Sequence, residues 1–203
     1  MDNEIKIRLA TLDDAETLRA IYAPYVKDTA VTFDVEVPSK EVFAERVATV
    51  LKHYPYLIAE DADSAVGYTY AGKFRPREAY QRSVETSIYM RRDFRGKGVG
   101  RRMYNALAEI LKLQNIYNMN ACCAATPNPD DLYVPPTSIK FHERVGFKQV
   151  GRFSNCAYKF GNWYDMVWME RILMDHAENP NPGDFISLEN VDPALIQEVL
   201  RNA

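Results

Sequence analysis

Cysteine is scarce in this chain: three residues of 203, Cys122, Cys123 and Cys156. Three cannot build a disulfide framework, and none stands with the spaced cysteines and histidines of a zinc site, so neither staples nor a catalytic metal is expected. An excess of positive charge is lacking too. Lys and Arg total 25 against 28 Asp and Glu, a formal net charge of -3. Surfaces that neutralise phosphate backbones concentrate basic residues, so no nucleic-acid partner is expected. No apolar run approaches membrane-spanning length. The start, Met1 to Lys6, lacks the basic segment, apolar core and small-residue cleavage site of a secretory leader. The expected setting is the cytoplasm, with no membrane partner. No internal repeat is visible.

What is present is 47% hydrophobic residues, enough to close one substantial core and too few residues for two comfortable domains. One domain is expected over residues 1–173. The composition then turns polar around Pro180 and Pro182, leaving residues 174–203 as a C-terminal extension that ends in a weak helix over 193–201.

Hydrophobic periodicity orders the rest. Residues 4–10 alternate Ile5, Ile7 and Leu9 with polar side chains, as a half-buried strand does. Thr11 can cap a helix whose stripe of Ala15, Leu18, Ile21, Tyr22 and Tyr25 stops near 24–27, and Ser39 can open a second that ends before Pro55. Residues 56–60 and 66–72 read as a hairpin turning at 61–64, and a polar loop over 73–82 leads to a strand at 84–91. Val99, Met103, Leu107, Ile110 and Leu111 recur at helical spacing, and a strand follows at about 118–125. There, strand geometry sends Cys122 and Cys123 to opposite faces as small buried residues. Four prolines break residues 126–137; Ser138 can cap a short helix that stops at Gly146, and 147–158 with 163–172 form a final hairpin turning at Gly161-Asn162. The order is that of a mixed α/β fold.

The most specific motif is Arg95-Gly96-Lys97-Gly98-Val99-Gly100, between a strand and an amphipathic helix. Glycines permit positive φ and close approach of a ligand, and the helix start offers unpaired N–H groups and a positive dipole end. Such a turn suits a pyrophosphate. It is not a Walker loop, since no Gly-Lys-Ser or Gly-Lys-Thr occurs, and no acidic ribose ligand follows it as dinucleotide binding requires.

With this loop the chain resembles the GNAT N-acetyltransferase family, whose pyrophosphate loop reads Arg or Gln, two residues, Gly, one residue, then Gly or Ala. Arg95, Gly98 and Gly100 match it. Within the family it is similar to phosphinothricin N-acetyltransferases, through Thr32-Phe33, Ala71-Gly72, Ala79-Tyr80, the run Glu85 to Met90, Phe141-His142-Glu143 and the run Gly161 to Asp165, over roughly residues 5 to 172. The resemblance implies a single-domain fold with a mixed, mostly antiparallel central sheet flanked by helices. It also implies acetyl-CoA as co-substrate, a small amine as acceptor and a homodimer.

Amide formation from a thioester needs a neutral amine and a stabilised oxyanion. Glu85 lies in a mostly uncharged strand where partial burial raises a carboxyl towards general-base range, and the resemblance points to the same residue. By resemblance, the backbone N–H donors of Ile88, Tyr89 and Met90 face the thioester, and the turn Arg95, Gly96, Lys97, Gly98, Val99 and Gly100, with Ser138, holds the cofactor. His142 stands where many relatives place a tyrosine; it is read either as the general acid or as a group orienting water or substrate. Pro135 replaces the asparagine expected for pantetheine, so either Asn128 or Thr137 takes over or the contact is absent.

Arg75 and Arg77, with Tyr80, can form an anion clamp for a carboxylate, phosphinate or sulfone, and the resemblance makes them substrate contacts. Phe33 would wall the acceptor or simply pack in the core. The favoured reading is N-acetylation of a small amino-acid-like substrate of the phosphinothricin, methionine sulfoximine or methionine sulfone type. The alternatives are a protein N-terminus or polyamine acetyltransferase, or a CoA-binding module without turnover.

Overall fold

The computed structural model describes residues 5–62, 64–178 and 181–203. Glu4 of the expected first strand, Asp63 of the hairpin turn and Pro180 of the tail lie outside them. Seven strands form one sheet in the order β1-β2-β3-β4-β5-β7-β6. They are β1 (Lys6–Leu9), β2 (Tyr56–Asp61), β3 (Ser64–Lys73), β4 (Ser83–Met90), β5 (Asn118–Ala125), β6 (Lys148–Lys159) and β7 (Asn162–Ile172). All neighbours are antiparallel except β4 and β5. The helices are α1 (Ala15–Asp28), α2 (Lys40–Leu51), α3 (Val99–Leu113), α4 (Thr137–Arg144) and α5 (Pro193–Arg201).

Two apolar layers sandwich the sheet. Under α3, Met103, Leu107, Ile110 and Leu111 pack on Val84, Met119, Val167 and Met169 in the larger core. On the other face α1 and α2 bury Leu18, Tyr22, Phe43 and Val47 against Tyr56, Ile58 and Tyr68. Each strand therefore alternates between the two layers, and the alternation decides which side chains of β4 can reach which ligand. At the sheet's first edge Arg8 bridges Asp14 and Glu60 at 2.8 and 2.6 Å, which holds the Asp14 carboxyl down at about 2.

Two local expectations need correction, whereas the first helix ends at Asp28, one residue past the expected 24–27. Pro24 is exposed while Tyr25 and Val26 are buried, so packing of the next residues offsets the missing N–H. The last hairpin turns at Phe160 and Gly161, with φ of 51° and 77°, rather than at Gly161-Asn162; Asn162 already pairs with Lys159. Two positive φ angles are what a two-residue hairpin turn requires. Ser138 does not cap α4, whose N-cap is Pro136; the Ser138 hydroxyl instead donates to Cys123 Sγ at 3.4 Å. Ser39, by contrast, accepts from Val42 N at 3.2 Å and opens α2 as expected.

The proline-broken segment 126–137 is an ordered excursion. Asp131 accepts from the N–H groups of Tyr133 and Val134, both at 2.8 Å, and Tyr133 stacks on Phe160 at 4.4 Å between ring centroids. In the tail, Leu188, Val191 and Ile196 join the larger core, and Arg102 donates to the Ala203 carbonyl at 2.7 Å and to that of Ile5 at 2.9 Å.

Candidate active site

The parallel pair β4 and β5 is registered only from Ser83 with Asn118 to Thr86 with Ala121; beyond it the strands diverge into a wedge. Arg91 N bonds Val66 O of β3 at 2.8 Å. Alternation along a strand then turns the peptide groups of Tyr89 towards β3 and those of Ile88 and Met90 into the wedge. Met90 is already engaged there: its N–H donates to the Tyr25 hydroxyl at 3.0 Å, and that hydroxyl donates to Met90 O at 2.6 Å. Of the three backbone donors expected to face a thioester, Ile88 alone presents its peptide to open wedge. The Tyr89 ring packs edge-on against Tyr22 and Tyr25 on the α1 face.

The wedge opens onto the glycine turn. Gly96 and Gly98 have φ of +80° and +83°, and a Cβ added to either would meet nothing within 4 Å. Backbone conformation, not crowding, demands glycine there, and the space above the turn stays open for a ligand. Gly100, in the first turn of α3, is different: a Cβ would come within 3.2 Å of the Phe141 ring and 3.4 Å of Ile88. Phe141 and Ile88 can therefore close the apolar trough only over a glycine. A cleft of about 470 Å³ follows this path, lined by Ile88, Met90, Arg95, Gly96, Gly98, Val99, Gly100, Ser138 and His142 among others.

Arg101 and Arg144 also line the cleft and add cationic charge that sequence reasoning did not single out. Thr137 and Pro135 line it, whereas Asn128 does not. Lys97 is exposed, with its ammonium 4.2 Å from the Phe94 ring centroid, and stands outside the lining. The Arg95 guanidinium lies 5.2 Å from the centroid of Tyr25. Positive-φ glycines, a helix N-terminus, guanidinium groups and an apolar trough at a strand divergence suit the diphosphate and pantetheine arm of a CoA thioester.

Glu85 projects from the opposite face of β4. Its neighbours in register are Gly72, which has no side chain to cover it, and Asn120. Burial pushes the Glu85 carboxyl above its ordinary value, and the nearby Arg75 opposes the rise. Arg75 Nη1 stands 4.0 Å from Glu85 Oε2. The guanidinium is stacked 4.4 Å from the centroid of Phe74 and 5.1 Å from that of Trp168. Tyr80 meets Phe74 edge-on at 6.0 Å. The structure thus brings Glu85, Arg75 and Tyr80 into one neighbourhood. Arg77 sits exposed on the same loop, and Phe33 packs with Ala30, Ala124 and Tyr164 in a third apolar cluster.

Trp168 was not singled out from sequence. Its signal was its parity: it alternates with the buried Val167 and Met169 and so falls on the Glu85 face, opposite Cys122. Cys122 is half-buried rather than buried, and burial together with Glu85 pushes its thiol up to about 12, which leaves it protonated and a poor nucleophile. Cys123 is buried as expected.

His142 is 5% exposed and closed in by its own hydrogen bonds. Nδ1 lies 2.8 Å from the Ser138 carbonyl and Nε2 lies 2.9 Å from the Tyr104 hydroxyl. A carbonyl only accepts, so Nδ1 carries the hydrogen, and Nε2 of the neutral ring accepts from Tyr104. Burial lowers the His142 pKa and so disfavours the imidazolium. Both ring nitrogens are engaged by protein groups where the ring lines the cleft.

These features suit an acyltransferase of the acetyl-CoA type, with a glycine turn on one side of a split strand pair and a shifted carboxyl on the other. The acetyltransferase (GNAT) domain family matches residues 7–168, and the chain belongs to that family. A phosphinothricin N-acetyltransferase of Streptomyces coelicolor is 32% identical over 177 residues, which cover 84% of this chain and 97% of the relative. An L-methionine sulfoximine/L-methionine sulfone acetyltransferase of Pseudomonas aeruginosa is 32% identical over 168 residues, 81% of this chain and 92% of the relative. The crystal structure of a GNAT superfamily phosphinothricin acetyltransferase from Sinorhizobium meliloti, in complex with AcCoA, matches with a TM-score of 0.78 at 29% identity, covering 92% of this chain and 96% of that one.

Proposed function

We propose that this enzyme moves an acetyl group from acetyl-CoA to the amino group of a small, anionic, amino-acid-like acceptor of the phosphinothricin, methionine sulfoximine or methionine sulfone type. The observation that carries the reading is the pairing of a carboxyl raised by burial with a guanidinium 4.0 Å away, on the face of β4 opposite the diphosphate cleft. The names of the relatives support the acceptor class.

Acetyl-CoA supplies the activated acetyl group as a thioester. The N–H groups of the turn from Gly96 to Gly100, with Arg95 and Arg101, hold its diphosphate, and the Ile88 N–H is placed to donate to the thioester carbonyl as negative charge develops. Glu85, ionised, takes a proton from the ammonium of the acceptor directly or through a water, because only a neutral amine is nucleophilic; the amine then forms the C–N bond as the thioester C–S bond breaks, and its second proton leaves with the sulfur as the CoA thiol. Arg75 holds the acceptor's anionic group beside that base, and a bound cation there disfavours polyamines. His142 and Tyr104 fix the wall of the cleft.

We further infer that residues 1–173 carry the chemistry, that 174–203 buttress α3, and that the working form is a cytoplasmic homodimer. Exposed Phe153, Tyr158 and Trp163 on the edge hairpin β6–β7 support self-association.

Substituting Glu85→Gln should lower kcat about 100-fold or more near neutral pH, measured by thiol release with methionine sulfone, while the KM for acetyl-CoA changes little. Unaltered kcat would remove Glu85 from the role of base. Selective turnover of peptides or polyamines across an amine panel would replace the proposed acceptor class.

A further inference from the structure

Arg75 reaches the site from an exposed loop on a long, flexible side chain. A guanidinium so placed normally samples many rotamers, and ordering it costs entropy at each binding event. Here the ordering is built in. Phe74 and Trp168 meet edge-on, ring centroids 5.6 Å apart and planes at 89°, and the Arg75 guanidinium contacts both rings at 4.4 and 5.1 Å. Nη1 is also tied to the Phe74 carbonyl at 2.7 Å. The two aromatics come from distant parts of the chain: Phe74 just past the end of β3, Trp168 from the middle of β7. Trp168 stands opposite Cys122 across β5, and Cys122 is close enough to feel the charges of both Glu85 and Arg75. The indole therefore lies on the Glu85 face of the sheet, against the Arg75 guanidinium.

We propose that Trp168 is a positioning and specificity-determining residue, which with Phe74 clamps the Arg75 guanidinium in register with Glu85 so that the enzyme selects acceptors bearing an anionic group. This deepens the functional reading above and rests on it. Trp168 does no proton transfer. A guanidinium over an aromatic face keeps its N–H edges outward, and with Nη1 engaged by the Phe74 carbonyl the clamp leaves the Nε–Nη2 edge to meet a carboxylate, phosphinate or sulfone oxygen. Phenylalanine at position 168 preserves a face; leucine preserves bulk but removes it.

The test has two arms. The first needs no turnover. The chain holds two tryptophans, Trp163 and Trp168, so in a Trp163→Phe background the emission reports position 168 alone. Arg75→Ala should change that emission, whereas Arg77→Ala should not. Superimposable spectra for Arg75→Ala and its parent would overturn the clamp.

The second arm is kinetic. Trp168→Leu should raise the KM for methionine sulfone about three- to fivefold with kcat within about threefold, the loss expected for a partly exposed cation–π contact. Trp168→Phe should restore most of it. The KM for acetyl-CoA should not move, and the discrimination between methionine sulfone and its uncharged amide should fall. In an Arg75→Ala background Trp168→Leu should have little further effect. Full additivity there, or an unchanged KM in Trp168→Leu, would overturn the role. If the parent acetylates no anionic acceptor at all, the functional reading and the specificity role fail together, and the emission arm alone decides the clamp.

Discussion

At the residue scale the central quantity is the ionisation of Glu85. Burial raises its carboxyl and Arg75 opposes the rise, so the two causes can be separated by experiment. In the proposed role of base Glu85 must be ionised, so activity should fall as pH drops through the raised value. The acid limb of kcat/KM should lie above the ordinary carboxylate range, and Arg75→Ala, by deleting the opposing cation, should move it to still higher pH. A limb that stays put in Arg75→Ala would mean that the two groups do not interact in solution. His142 is instructive in the opposite direction. Its sequence position invited the role of an acid or of an orienting group; in the fold both ring nitrogens are engaged by protein groups and burial disfavours the charged form. A sequence records the imidazole; only packing decides whether it has a proton to give.

At the scale of the element, the turn between β4 and α3 combines two different demands on glycine. Gly98 is the N-cap of α3 with φ of 83° and open space around its α-carbon. Gly98→Ala should cost about 1–2 kcal/mol of stability, read from the denaturant midpoint, because an L side chain is strained in that region. It should also raise the KM for acetyl-CoA, since the new methyl occupies the side a ligand approaches. An unchanged KM would show that the diphosphate binds elsewhere. The same strand-to-helix unit carries the wedge, where Tyr25 of α1 occupies both polar groups of the Met90 peptide. The resemblance named Ile88, Tyr89 and Met90 together; in the fold, strand alternation turns the Tyr89 peptide towards β3 and a helix tyrosine takes up the Met90 groups.

On the scale of the whole molecule, the sheet ends in β6, whose hairpin with β7 leaves Phe153, Tyr158 and Trp163 between 56% and 60% exposed. Large aromatics on an edge hairpin call for cover. Sedimentation should give the mass of two 23.3 kDa chains, and Phe153→Glu with Trp163→Glu should return the protein to single chains. A parent that sediments as one chain would discard the dimer. The tail belongs to this scale as well: Leu188, Val191 and Ile196 enter the core beneath α3, although their stretch of sequence reads as polar and weakly helical.

What the sequence determined by itself is what repeats or stands contiguous. Period two and period three-to-four patterns located the strands and helices. The glycine turn was legible as well, because its requirements, positive φ and a helix start, are local. The positions of Arg75 and Glu85 were legible too, as charges near one another in a short stretch. Tertiary structure alone decided the rest. Trp168, Tyr25, Arg101 and Arg144 come from separate elements and meet at the site only once the sheet is assembled. The state of His142 and the exposure of Cys122 depend on neighbours distant in sequence. Local conformational preference is written along the chain, whereas burial, and with it every shifted proton and every oriented cation, is a property of groups that the fold brings together.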